Sequence, residues 1–272
     1  MHNAFSSLKP EARPAREAIL SWFETRLGTH VLKTELAVLD QLLPGFFGYN
    51  LLQLSVQDKP LFAASPIQTK IPLAVDDASV RTLRGEAGEI NEMPVAGRPT
   101  SLPFENDSID VAVLHHLLDF ADSPQDILKE VSRVTLPMGH VIIIGFNPWS
   151  LWGLWRSALQ FKEQPPWDGQ YISPGRLMDW LNLLDFKIDR AQYAIYRPPV
   201  SRLIGQVGDY SQGVSRNLNL PVGGVYVIVA RKHVGSVRSI KPVWKTSRSF
   251  GRLSVVRSVK HDGLTRVENP EQ

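Results

Sequence analysis

The spacing of apolar residues along the chain changes near residue 45. Residues 14–27 and the stretch that follows them show helical periodicity, with apolar side chains every three or four positions. The apolar positions of the second stretch are Leu32, Leu36, Leu39 and Leu43. Gly28 is expected to end the first helix and Pro44-Gly45 the second. The pattern therefore predicts an N-terminal helical segment over residues 1–44.

After residue 45 the apolar residues fall in seven short runs that are typical of buried strands. These runs cover residues 49–56, 71–75, 93–97, 109–116, 140–146, 186–196 and 223–232. Ser-Pro pairs at 123–124 and 173–174 mark the starts of two helices between the runs. Mostly apolar strands separated by helices predict an α/β fold, with a largely parallel sheet covered by helices on both faces. The last two runs have no long helix between them, which favours an antiparallel pair at one edge.

The composition excludes several kinds of site. The 272 residues include no cysteine, so disulfides, cysteine-ligated zinc, iron–sulfur clusters and thiol catalysis are excluded. The first 30 residues lack the apolar core of a signal peptide, and no apolar run is long enough to span a bilayer. A cytoplasmic protein is therefore expected. The sequence contains no HExxH, GxSxG or Walker A motif and no histidine metal motif, so it indicates neither a metal site nor a hydrolase.

Basic residues are concentrated at the C-terminal end. Residues 231–272 contain 10 Lys and Arg against 3 Asp and Glu, whereas residues 1–230 contain 20 against 24. Because residues 233–272 lack periodicity, they are expected to form a disordered tail after a domain over 45–232. The charge of the tail favours weak contact with nucleic acid or anionic lipid, without stable membrane insertion.

Three tryptophans follow the fifth apolar run at a spacing of three residues. They are Trp149, Trp152 and Trp155. On a helix they share a broad face, and the favoured interpretation is a helix that faces the core. A lid over an apolar substrate, or a face that rests on a membrane surface, is the alternative.

A stretch of about 50 residues carries a recognisable motif. Residues 101–148, "SLPFENDSIDVAVLHHLLDFADSPQDILKEVSRVTLPMGHVIIIGFNP", lead from a polar loop through the fourth apolar run and a helix to the fifth run. This stretch resembles the second half of a class I S-adenosylmethionine-dependent methyltransferase of the type 11 (UbiE-like) family. The matching positions are Leu102-Pro103-Phe104, Ser108, Asp110, His115, His116, Arg133-Val134 and Pro137-Met138-Gly139. The resemblance implies a Rossmann-like sheet of about seven strands, with the fourth run, residues 109–116, at its centre. It also implies S-adenosyl-L-methionine as the cofactor.

The resemblance also implies roles for residues in the loops and at the strand ends that line the cofactor crevice. Phe104 is expected to cover the adenine ring, with Leu102 beside it. Arg98 stands after the third strand, where the family often has an aspartate. His115 and His116 end the fourth strand, where methyl donor and acceptor should meet, so they are the catalytic candidates and His115 is also a cofactor-binding candidate. In a regular strand these two imidazoles point to opposite faces.

The turn after the first apolar run departs from the family pattern. The family has D-x-G-x-G-x-G there, because glycine lets the backbone come close to the cofactor. This chain has "QLSVQDKP", with Gln53 at the acidic position and Ser55, Gln57 and Lys59 at the glycine positions. Gln53 and Ser55 remain cofactor-binding candidates by position, and Asp76 is the candidate partner of the ribose hydroxyls.

These features leave three functional hypotheses. The motif favours a methyltransferase that acts on a small-molecule acceptor. The missing glycines favour a catalytically silent methyltransferase fold that serves as a binding or regulatory module. A nicotinamide-dependent oxidoreductase ranks last, because it needs a G-x-G-x-x-G turn after a strand and the sequence has none.

Overall fold

Seven strands form one sheet in the computed structural model, which describes residues 12–74, 80, 82–83, 94–159, 165–199 and 219–233. The strands are β1 (Asn50–Ser55), β2 (Thr69–Ala74), β3 (Val95–Ala96), β4 (Ile109–His115), β5 (Thr135–Phe146), β6 (Phe186–Ala194) and β7 (Val225–Lys232). Their order in the sheet is β3-β2-β1-β4-β5-β7-β6. The first five strands pair in parallel, and β7 runs antiparallel to both β5 and β6. The predicted α/β sheet, with its central fourth strand and antiparallel last pair, is confirmed.

The helices cover both faces of this sheet. Those in the described part of the chain are α1 (Ala12–Glu24), α2 (Arg26–Leu42), α3 (Pro124–Val134), α4 (Leu151–Leu159) and α5 (Pro174–Leu183). One apolar cluster joins α1, α2 and α4 to the sheet, and a second joins α3 and α5 to the opposite face. Successive strand residues divide between the two clusters, as Leu51 and Leu52 do in β1, because side chains alternate along a strand.

The break between α1 and α2 lies at Thr25. The Thr25 hydroxyl accepts a hydrogen bond from the Gly28 backbone N–H at 3.1 Å, which caps the start of α2. Gly28 therefore lies inside α2, and the expectation that it ends the first helix is wrong. The physical reason is that the cap, rather than the glycine, supplies the partner for the free backbone donors of the second helix.

Gly28 instead allows α2 to pass close to α1. A Cβ atom at this position would overlap the carbonyl oxygen of Trp22. We expect Gly28→Ala to lower the free energy of unfolding by about 1–3 kcal/mol, because the two helices would have to move apart. Gly45→Ala is the matched control, since no atom of the described residues lies within 4 Å of a Cβ there. Thermal unfolding measures the difference, and equal melting temperatures for the two variants would contradict the close approach.

The three tryptophans near α4 do not share one environment. Trp152 is buried, with 1% of its surface exposed, whereas Trp149 is 74% and Trp155 is 42% exposed. Trp149 lies in the turn before α4, and three residues turn a helix by about 300°, so Trp155 lies about 60° round the helix from Trp152. The expectation of a core-facing helix is therefore correct for Trp152 and wrong for the other two. Across the described ranges, no helix is both long and apolar enough to cross a membrane.

Candidate functional site

The carboxyl ends of β1 and β4 bring polar side chains together beneath α2. Ser55 pairs in register with His115, and His115 with Ile144 of β5. The strand order reverses between β1 and β4, and ligands of open α/β sheets bind beyond the strand ends at such a point. Four ionisable side chains meet here with no more than 1% of their surface exposed. They are Glu35, His115, His116 and Asp119, and we call them the buried cluster.

Both imidazoles of the buried cluster face the same carboxylate. His115 Nε2 lies 3.0 Å from Glu35 Oε2, and His116 Nε2 lies 2.7 Å from Glu35 Oε1. The expectation that the two histidines point to opposite faces is wrong. The strand ends at His115, and His116 adopts a left-handed backbone with φ 51°, which turns its side chain towards Glu35. Histidine is among the residues enriched in this backbone region.

The other ring nitrogens also have partners. His116 Nδ1 lies 2.9 Å from Asp119 Oδ2, and this oxygen also accepts a hydrogen bond from the Phe146 backbone N–H at 2.9 Å. His115 Nδ1 lies 3.0 Å from Ser55 Oγ. All four ring nitrogens are therefore engaged by groups of the protein itself, which fixes both imidazoles in place.

Burial and mutual contact shift the pKa values of the whole cluster. Burial opposes the charged form of Glu35, but the His116 charge and hydrogen bonds from both imidazoles outweigh it and lower the Glu35 pKa to about 2. Burial likewise opposes the His116 cation, yet the Glu35 charge and the Asp119 hydrogen bond raise the His116 pKa to about 9. Burial dominates at the other two groups, lowering the pKa of His115 and raising the pKa of Asp119. The cluster thus contains an anion and a cation at neutral pH.

Side chains of β1 hold the turn that follows this strand. Gln53 donates from Nε2 to the Lys59 carbonyl oxygen at 2.8 Å and accepts from the Leu61 N–H at 2.8 Å. Ser55 Oγ accepts from the Gln57 N–H at 2.9 Å. The turn is therefore shaped by hydrogen bonds from Gln53 and Ser55, where the family pattern uses glycine.

The loop that carries Leu102 and Phe104 is fastened to α3. Arg133 donates to the carbonyl oxygens of Leu102 and Phe104 at 3.0 and 2.9 Å, and it pairs with Glu130 at 2.8 Å. The Leu102 side chain is buried in the apolar cluster under α3, and Phe104 packs partly buried against the same cluster. This loop leads into the amino end of β4, so the structure does not bring Phe104 next to His115, at the other end of that strand.

Two further candidates lie apart from the buried cluster. Arg98 is exposed and forms an isolated β-bridge with Ser101 in the turn after β3. Asp76 lies outside the described residues, as does the predicted tail beyond His233. The roles assigned to Asp76 and Arg98 by the resemblance remain predictions.

Sequence reasoning missed two members of the buried cluster. Glu35 stands 80 positions before His115, so nothing in the local motif points to it. One signal was available, because Glu35 occupies a helical position in line with Val31 and Leu39, both fully buried. Asp119 follows His116 by three residues inside an apolar stretch, where a charged side chain is unusual.

Comparisons with known proteins support the family resemblance. The model of the methyltransferase domain family, type 11, matches residues 72–143. The Escherichia coli protein YafS is 32% identical over 139 residues, which are 51% of this chain and 54% of YafS. The chain thus spans about half the length of the curated relatives it matches.

Solved structures with a similar fold include S-adenosylmethionine-dependent methyltransferases. One from Thermotoga maritima has a TM-score of 0.60 at 21% identity, covering 78% of this chain and 93% of its own. Another from Mesorhizobium loti has a TM-score of 0.53 at 13% identity, covering 73% and 97%. The chain has the Rossmann-like fold of these enzymes, and the family and fold imply S-adenosyl-L-methionine as the cofactor.

One observation in the turn after β1 fits this cofactor. Gln57 is buried, and its Oε1 atom has no hydrogen-bond partner among the described residues. A buried acceptor without a partner costs about 1–3 kcal/mol, so a donor group of a ligand would satisfy it. The amino group and ribose hydroxyls of the cofactor are such donors, and this turn is where the family binds it. Gln57 Oε1 would therefore fit a donor group of the cofactor, whereas the Ser55 hydroxyl already contacts His115 Nδ1 and the Gln57 N–H.

Proposed function

We propose that the protein transfers a methyl group from S-adenosylmethionine to a small-molecule acceptor. The proposal starts from the match of residues 72–143 to the type 11 methyltransferase family. The observation that carries the proposal is the meeting of polar side chains at the carboxyl ends of β1 and β4. Family and fold imply the cofactor, and the strand order supports this position for its crevice.

The cofactor and the protein would have separate roles in the transfer. The bound cofactor supplies a methyl group activated on a sulfonium, and the protein supplies alignment of the acceptor and exclusion of water. Ser55 and Gln57 hold the turn against the cofactor. Because all four ring nitrogens of His115 and His116 are engaged, either histidine acts as a base only after Glu35 or an outer partner releases it.

The closed surroundings of the strand ends favour a small acceptor. Helix α2 lies over this region and places Glu35 against the end of β4, with almost no solvent access to the buried cluster. A small molecule reaches the neighbourhood of buried side chains more readily than a folded macromolecule does.

Transfer of a radiolabelled methyl group tests the proposal. The purified protein is incubated with labelled S-adenosylmethionine and with either the small-molecule or the macromolecular fraction of a cell extract. We expect label in small-molecule products, and none with heat-denatured protein. Label that enters only the macromolecular fraction would contradict the proposed acceptor class, and no transfer to either fraction would contradict the proposed reaction.

A further inference from the structure

The buried cluster places hydrogen-bond acceptors against each other. Asp119 Oδ2 faces His116 Nδ1 at 2.9 Å, and an ionised carboxylate can only accept, so Nδ1 carries the proton of a neutral imidazole. Nε2 of that ring then presents a lone pair to Glu35 Oε1 at 2.7 Å. Two acceptors this close require a cation between them, which is either a second proton or a metal ion.

The second histidine is compatible with this ion, since its outer partner is a serine hydroxyl that either donates or accepts. His115 presents Nε2 to the other oxygen of Glu35 at 3.0 Å, while its Nδ1 faces Ser55 Oγ at 3.0 Å. One ligand atom from each of Glu35, His115 and His116 can be chosen so that the three lie within 4.8 Å of one another. Ligand atoms around a tetrahedral ion with bonds of about 2.0–2.2 Å are separated by little more than 3 Å, so small adjustments suffice.

The outer partners are those that metal-bound histidines use. A ligating histidine almost always directs its other nitrogen to a carboxylate, a carbonyl or another hydrogen-bonding group, which fixes the ring and its tautomer. Asp119 does this for His116, and Ser55 does it for His115.

The charge of the cluster favours a divalent ion over protons. Two carboxylates and two imidazoles share one buried site, and any charge that they leave unbalanced there is costly. Asp119 Oδ1 is buried and has no partner among the described residues, which is the local sign of this imbalance. A divalent cation between two neutral imidazoles would neutralise Glu35 and Asp119 together.

We propose that Glu35, His115 and His116 bind one divalent transition-metal ion, which ties α2 to the carboxyl end of β4. Two imidazole nitrogens and a carboxylate oxygen suit Zn(II) and its first-row neighbours better than Mg(II) or Ca(II), which prefer oxygen ligands. Three protein ligands leave the fourth position of a tetrahedral ion to water. This proposal does not rest on methyl transfer, because it follows from the cluster's own geometry.

Metal content and Co(II) spectroscopy test the site. Protein without an affinity tag is stripped with a chelator, dialysed against Zn(II) or Co(II) and measured by elemental mass spectrometry. We expect wild type to retain about one ion per chain and the Co(II) form to show the visible absorption of tetrahedral coordination. Glu35→Gln is expected to bind at least about 100-fold more weakly, and Asp119→Asn about 10- to 100-fold more weakly.

His140→Gln is the matched control, because it removes a histidine that lies outside the cluster and faces Asp189 at 3.5 Å. It should bind metal as wild type does. Circular dichroism establishes that each variant is folded. If Glu35→Gln does not fold, Asp119→Asn is compared with wild type instead. A wild-type protein that takes up no stoichiometric ion, or a folded Glu35→Gln that binds equally well, would overturn the site whether or not the protein binds S-adenosylmethionine.

Discussion

Glu35→Gln is expected to lower the free energy of unfolding by about 3–5 kcal/mol in protein freed of metal by a chelator. The variant removes a carboxylate that is buried against His115 at 3.0 Å and His116 at 2.7 Å. The His116 charge then stays buried without its main counter-ion, and that loss is far larger than the effect of removing an exposed ion pair. For a domain of this size we expect the melting temperature to fall by roughly 10 °C.

Asp40→Asn is the matched control for this experiment. Asp40 lies on the same helix, α2, and is exposed, so the variant removes one carboxylate without touching the buried cluster. Its free energy of unfolding should stay within about 0.5 kcal/mol of wild type. Chemical denaturation of the three proteins measures both differences. A Glu35→Gln variant as stable as Asp40→Asn would show that the buried cluster does not hold α2 in place.

The stability of the metal-free protein is expected to fall on both sides of neutral pH. The folded-state pKa of His116 is raised from 6.5 to about 9, so its contribution is complete below pH 6.5 and is lost as pH rises through about 9. The folded-state pKa of Glu35 is lowered from 4.5 to about 2, so its contribution is complete above pH 4.5 and is lost as pH falls through about 2. A pKa shift of this size corresponds to roughly 3 kcal/mol of free energy of unfolding at each group. The contributions of Glu35 and His116 are parts of one interaction between these two side chains.

The other two groups of the cluster shape the same profile. The pKa of His115 is lowered by burial, so folding loses stability as pH falls below 6.5 and the unfolded chain takes up a proton. The pKa of Asp119 is raised by burial, so its ionisation opposes folding as pH rises through that raised value. Urea denaturation across the pH range measures the profile. A wild-type profile that matches that of Glu35→Gln from acid to alkali would contradict these assignments.

The strands follow from patterns that are local in the sequence, whereas the central place of the fourth strand follows from the family resemblance. Seven apolar runs matched seven strands, because buried strands of a parallel sheet need apolar residues on both faces. The position of His115 at the end of the central strand was also predictable, since the motif fixed which run was the fourth. The residues that contact His115 were not predictable, because these contacts depend on how the helices pack on the sheet.

The buried cluster shows why the rest could not be predicted. Glu35 reaches the histidines only after α2 folds across the ends of β1 and β4, and no spacing rule links residues 80 positions apart. The left-handed backbone of His116 was likewise unforeseen, because an alternating strand was assumed to continue one residue too far. A charged residue within the buried stripe of a helix was the one sequence signal of this contact.

The central claim is that the turn after β1 and the ends of β1 and β4 bind S-adenosylmethionine. Isothermal titration with S-adenosylmethionine and S-adenosylhomocysteine tests it most directly, on wild type, Gln57→Leu and the exposed control Gln125→Leu. We predict saturable binding by wild type and the control, and binding up to about tenfold weaker by Gln57→Leu, which loses the buried Oε1 acceptor. A folded wild-type protein that binds neither compound at saturating concentrations would contradict the account.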